Sequence, residues 1–171
     1  MRFRAVIRIG AIFFLFSGTL FGQRAVFVVR HAEKATERNE PSVPLSAAGS
    51  ERAGRLAAIL RDVGISAIYS TDTVRTRSTV EPLAKRLGLE TRIYAASGPD
   101  GKIDLAPLAA RIGSENSAAT VLVVGHSNTI GPLLAALGAK ESVEIADGDY
   151  DNLFLLIPRS HEPPLLLRMH F

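Results

Sequence analysis

Two short blocks of unbroken apolar residues stand out along the chain: Ala25-Val26-Phe27-Val28-Val29, and Val121-Leu122-Val123-Val124 after Thr120. Both are rich in β-branched residues and lack the polar alternation of a half-solvated strand, which predicts strands buried on both faces of a parallel sheet. Each block stops abruptly at polar residues: Arg30-His31-Ala32-Glu33-Lys34 after the first, Gly125-His126-Ser127-Asn128 after the second. In open α/β sheets, ligands bind in the crevice outside the carboxyl ends of the strands. If both strands lie in one sheet, His31 and His126 share a site.

Between these blocks the apolar positions switch to helical spacing. Residues 35–45, with Asn39, Pro41 and Pro44, predict an irregular loop beside the first strand end. Ser46 stands where a helix cap belongs, ahead of a core face of Ala53, Leu56, Ala57, Leu60 and Val63, with Gly64 just past the end. Glu51, Arg52, Arg55 and Arg61 are expected on the solvated side of that helix. Residues 65–69 predict a second buried strand feeding a helix that carries Val80, Leu83, Ala84 and Leu87 and ends at Gly88. Residues 90–94 predict a third strand. A turn over residues 97–101 and a helix ending at Gly113 follow. After the strand at 120–124 comes an expected helix from Thr129 to Leu137, closed by Gly138. Residues 152–157 and 165–171 are expected to pair as an antiparallel edge, with Pro158, Pro163 and Pro164 in their connection. Strands alternating with helices and then a hairpin predict an α/β fold: a three-layer sandwich, its central sheet mostly parallel with an antiparallel C-terminal edge, and helices on both faces.

Composition changes this picture mainly at the amino terminus. Arg2, Arg4 and Arg8 precede an apolar run over residues 9–21, the layout of a secretory signal peptide. Cleavage after Gly22 is expected, leaving residues 23–171 as one domain exported to the periplasm or the outside. The run is short for a membrane span, so no stable membrane association is expected once it is removed. Three of the twenty basic residues but none of the seventeen acidic ones lie in that segment. The formal charge of +3 therefore belongs to the leader, and the balanced remainder gives no support for nucleic-acid binding. Cysteine is absent, which excludes disulfides and an amino-terminal lipid anchor through Cys.

The candidate chemistry gathers at the strand ends. Arg75 falls in the first turn of the second helix, where the dipole disfavours a cation and favours a bound anion. Two arginines and two histidines around one crevice suit a tetrahedral dianion, because guanidinium forks match phosphate oxygens and keep their charge. A neutral imidazole can also attack phosphorus, giving a phosphohistidine that water hydrolyses.

Four ordered segments carry a resemblance. Arg30-His31-Ala32-Glu33-Lys34 resembles the Arg-His-Gly box of the histidine phosphatase superfamily, which includes the phosphoglycerate mutases and the small phosphohistidine phosphatases. Leu45-Ser46-Ala47-Ala48-Gly49 with Arg52-Ala53 resembles its Leu-Thr-x-x-Gly segment. Tyr69-Ser70-Thr71 followed by Arg75 and Thr79 resembles its Ser-Ser-x-x-x-Arg box, and Gly125-His126-Ser127-Asn128 its second histidine box. The resemblance implies a phosphatase without metal or other cofactor, in which His31 is the nucleophile and Arg30, Arg75 and His126 clamp the phosphoryl group with support from Asn128. It implies a small phosphorylated substrate or a phosphoprotein. The chain lacks the long insertions of the larger members, which speaks against a mutase. Ala32 replaces the usual Gly. The general acid is unassigned, because Ser127 follows His126 where some members carry a carboxylate; the candidates are Glu33, Asp100 and Asp104.

Three alternatives use the same residues. A zinc site would want a third ligand and no adjacent arginines. The His31-x-Glu33 spacing resembles that of zinc deaminases, but those need cysteines this chain lacks. A serine hydrolase could be built on Ser127, with Asp147, Asp149 or Asp151 and then His161 or His170 as partners, although Thr129 stands where the nucleophile elbow needs glycine. The third alternative is a non-catalytic domain that binds phosphorylated ligands.

Overall fold

The computed structural model describes residues 25–115 and 119–171, and the expected signal segment lies outside them. In chain order the elements are β1 (Ala25–Arg30), α1 (Ala47–Leu60), β2 (Ile65–Ser70), α2 (Val74–Leu87), β3 (Thr91–Ile93), α3 (Ala106–Glu115), β4 (Thr120–Gly125), α4 (Ser127–Ala136), β5 (Asn152–Arg159) and β6 (Glu162–His170). The six strands form one sheet in the order β3-β2-β4-β1-β5-β6. The pairs β1–β4, β2–β4 and β2–β3 are parallel, whereas β5 runs antiparallel to β1 and to β6. This is the three-layer α/β sandwich with an antiparallel edge that the alternation predicts.

The apolar runs are explained by burial on both faces. Val26, Val28, Val121 and Val123 pack with Leu108, Ile112, Ile130, Leu133 and Leu134 from α3 and α4. Their alternating neighbours Phe27, Val29, Leu122 and Val124 pack on the opposite face with Leu56, Leu60, Val80 and Leu83 from α1 and α2. Only strands covered on both sides need such continuous hydrophobicity. Ser46 caps α1 by accepting a hydrogen bond from the Gly49 backbone N–H at 3.0 Å.

Four local expectations differ from what is observed. α1 ends at Leu60, so Val63 sits exposed in the turn that follows. α3 runs through Gly113 to Glu115. α4 begins at Ser127 with His126 as its N-cap, because the Thr129 hydroxyl accepts the His126 backbone N–H at 2.8 Å and so draws the first turn forward. The three prolines lie inside the last two strands, and only Ser160-His161 turns the hairpin. Pro163 and Pro164 are accommodated because β6 is an edge strand; Pro158 coincides with a register shift between Ile157 and Arg159.

Candidate active site

β1 and β4 are adjacent and in register, Arg30 opposite Gly125, and the His31 backbone N–H continues the ladder to the Gly125 carbonyl at 3.0 Å. Parallel neighbours ending at the same height place both histidines side by side, their ring centroids 5.2 Å apart and nearly edge-to-face. Gly125 is required beside them, since a Cβ there would come within 2.7 Å of the Thr129 hydroxyl and 3.2 Å of the Tyr94 hydroxyl. The first turn of α2 delivers Arg75. Together Arg30, His31, Arg75 and His126 line a crevice of about 510 Å³, with Lys34, Glu37, Asn39, Ser127, Asn128, Asp147 and Tyr150 as its other walls.

His31 is 4% exposed, and its Nδ1 lies 2.8 Å from the Ala32 carbonyl oxygen. A carbonyl can only accept, so Nδ1 carries the proton and the neutral ring keeps a lone pair on Nε2. Burial pushes the His31 pKa down to about 3, and the positive surroundings add to it against the opposing hydrogen bond to Ala32. The imidazole is thus neutral at physiological pH. Behind it, the Thr79 hydroxyl accepts the Ala32 N–H at 2.9 Å and donates to the Arg75 carbonyl at 2.8 Å, tying the His31 segment to the helix turn that carries Arg75.

His126 is held by a chain of hydroxyls. The Arg75 Nη2 approaches its Nδ1 at 3.5 Å; a guanidinium only donates, so Nδ1 accepts and Nε2–H faces the Thr71 hydroxyl at 3.0 Å. Thr71 in turn donates to Thr76 at 3.1 Å, and Thr76 to the Thr71 carbonyl at 2.9 Å. Burial, followed by the charges of Arg75 and Arg30, lowers the His126 pKa to about 4.

Each arginine is anchored through one end. Arg30 Nη1 donates to the carbonyls of Ala146 and Asp147, both at 2.8 Å, and Arg75 Nη1 to the Glu40 carbonyl at 3.0 Å. The Nε atoms of both are buried and without a partner. Two cations 4% and 7% exposed, unmatched by a buried carboxylate in the crevice, make an electrostatic environment suited to a dianion.

The three carboxylates proposed as general acid are not in the crevice. Glu33 turns away into a pair with Arg52, whose Nη2 lies 2.7 Å and Nε 2.9 Å from its Oε1. Burial works against ionising Glu33, but these hydrogen bonds outweigh it and hold its pKa below the usual value. This also corrects the expectation that Arg52 is solvated, since both partners are half-buried. Asp100 accepts from the Lys102 backbone N–H, and Asp104 from the Ala106 N–H at the start of α3. Ser127 lines the crevice, but neither His161 nor His170 does; His170 pairs instead with Asp151 at 3.2 Å. The residues that sequence reasoning missed as walls are Lys34, Glu37, Asn39 and Tyr150. Lys34 carries no signal beyond its place in the first histidine box, and a tyrosine outside any helix or strand carries no periodic signal. Among the described residues, no group of three or more His, Cys, Asp or Glu is arranged to hold a metal ion.

Residues 26–96 match the family model described as histidine phosphatase superfamily, branch 1. That span is less than half of the chain. Arg30, His31 and Arg75 lie inside it, and His126 lies beyond it. Among solved structures, the chain is similar to the protein histidine phosphatase SixA complexed with tungstate, at 21% identity and a TM-score of 0.70, covering 85% of this chain and 96% of that one. It is also similar to a mycobacterial glucosyl-3-phosphoglycerate phosphatase, at 18% identity and a TM-score of 0.63, covering 86% of this chain and 98% of that one. No curated protein sequence matches the chain.

Proposed function

We propose that this crevice hydrolyses a phosphorylated small molecule or phosphoprotein by transferring the phosphoryl group to His31 and then to water. The observation that carries the reading is the hydrogen bond from His31 Nδ1 to the Ala32 carbonyl, which leaves Nε2 unprotonated on a ring that lines a crevice walled by two arginines. Nε2 attacks phosphorus as the leaving oxygen departs, and Arg30 and Arg75 stabilise the charge on the equatorial oxygens. His126 adapts to the same charge. Burial first, and then the Arg75 and Arg30 cations, hold its pKa down; a bound dianion offsets the cations, so the imidazole becomes easier to protonate when the site is filled. Asn128, at the start of α4, supports the same pocket.

The neighbours named above as phosphatases support this reading, and so does tungstate, a tetrahedral oxyanion, in the SixA structure. The chemistry needs no metal ion. Activity on an aryl phosphate is expected to survive chelators, to be inhibited by vanadate, and to be lost in His31→Ala while Ser127→Ala retains it. Loss in Ser127→Ala with retention in His31→Ala would replace this reading by a serine hydrolase.

We also propose export, on the strength of the Arg-rich start and the apolar run that follows. Mass spectrometry of the protein from its native host is expected to find a mature amino terminus near Gln23. Intact Met1 in a cytoplasmic fraction would contradict it.

A further inference from the structure

We propose that Tyr150 is the proton donor to the leaving group, an inference that rests on the phosphoryl-transfer reading of the same crevice. The carboxylates that could serve are poorly placed. Glu33 is bound by Arg52, Asp100 and Asp104 serve the turn before α3, and the Asp147 side chain is fully exposed at 4.0 Å from Arg30. Glu37 is an exposed residue of the rim, and Lys34 Nζ is engaged by Asn39 Oδ1 at 2.8 Å and by the Glu37 carbonyl.

Tyr150, by contrast, is built into the site. Its half-buried ring lies under the Arg30 guanidinium, 4.1 Å from ring centre to the central carbon, and 5.9 Å from the His31 ring. Arg30 grips the segment that carries it through the Ala146 and Asp147 carbonyls, and Asp149 Oδ2 accepts the Ala146 N–H at 3.4 Å across the same turn. The stacking is a cation–π contact that fixes the plane of the ring, so the hydroxyl position is set by residues already committed to the phosphoryl group. The phenol is also close enough to Arg75 for the two to interact electrostatically. A phenolate formed there is stabilised by the nearby charges of both guanidinium cations.

The step balances. His31 Nε2 forms a P–N bond with its lone pair, the P–O bond to the leaving group breaks, and the departing oxygen takes the proton from the Tyr150 hydroxyl. In the second step water attacks phosphorus, its proton passes to the phenolate, and the P–N bond breaks with its pair returning to Nε2. Phosphate leaves and the phenol is restored.

The test is Tyr150→Phe, which removes the hydroxyl and keeps the ring on Arg30, assayed with a leaving-group series from 4-nitrophenyl phosphate through phenyl phosphate to an alkyl phosphate. General-acid contributions are typically about a hundredfold to ten-thousandfold. The variant is expected to lose that much kcat/KM with the alkyl ester and to stay within a few fold of the parent with the nitrophenyl ester, which needs no proton. A steeper dependence on leaving-group pKa is the signature, and a merely structural role would not produce it. Equal losses across the series, or no loss with the alkyl ester, would overturn the assignment. So would the selective loss appearing instead in Glu37→Gln or Asp147→Asn. None of these results bears on His31 as nucleophile, which fails separately if His31→Ala retains activity.

Discussion

At the scale of single residues, the tautomer of His31 depends on a neighbouring peptide group. The Ala32 carbonyl selects the tautomer, and Thr79 holds that peptide by its N–H while bracing the turn that carries Arg75. Thr79→Val keeps the shape but leaves a buried N–H unsatisfied, at a cost of roughly 1–3 kcal/mol of stability. As a positioning residue it should also lower kcat, by about tenfold to a hundredfold, since small misplacements of reacting groups are costly. Urea unfolding and steady-state kinetics would check both, and Thr79→Ser should restore them. A normal kcat in Thr79→Val would remove the positioning role. Arg30, His31, Arg75 and His126 were legible from sequence because each follows a recognisable strand end or helix start. Tyr150 was not, since it lies in irregular chain and reaches the site only through its stack on Arg30.

At the scale of elements, continuous apolar runs identified β1 and β4 as doubly covered strands, and Ser46 and Gly88 marked helix ends that the structure contains. The failures have a common origin in tertiary contacts that local pattern does not encode. Arg52 resembles any charged residue on a solvated face until the loop after His31 brings Glu33 against it. Gly49 is singled out in the sequence only as part of a resembling segment, and its local pattern does not say why glycine stands there; a Cβ would collide with the Glu33 carbonyl oxygen, so the glycine allows α1 to seat against the segment that follows His31. Glu33 thus belongs to a scaffold: its backbone carbonyl also accepts the Ser46 N–H at 2.9 Å, and its carboxylate anchors α1. The prolines of the hairpin mislead for a related reason. They interrupt strands in general, but an edge strand and a register shift absorb them here.

At the scale of the whole molecule, burying two neutral histidines links the site to stability. Both have folded pKa values far below the ordinary 6.5, about 3 for His31 and about 4 for His126, so the unfolded chain binds more protons between those values. Acidification through that window therefore favours unfolding, and Glu33, with its lowered pKa, adds in the same direction below about its ordinary value of 4.5. The urea midpoint is expected to fall between pH 7 and pH 4.5, while NMR finds both histidines neutral in the folded protein over that range. Titration of either near 6.5 would contradict it. The account as a whole turns on one covalent bond, between His31 Nε2 and phosphorus. Rapid quenching of the enzyme with a radiolabelled phosphodonor, followed by peptide mapping, tests that bond directly. The account predicts an acid-labile, base-stable label on the peptide containing His31, absent in His31→Ala. A label on Ser127 or on His126, or turnover with no labelled enzyme in the pre-steady state, would contradict it.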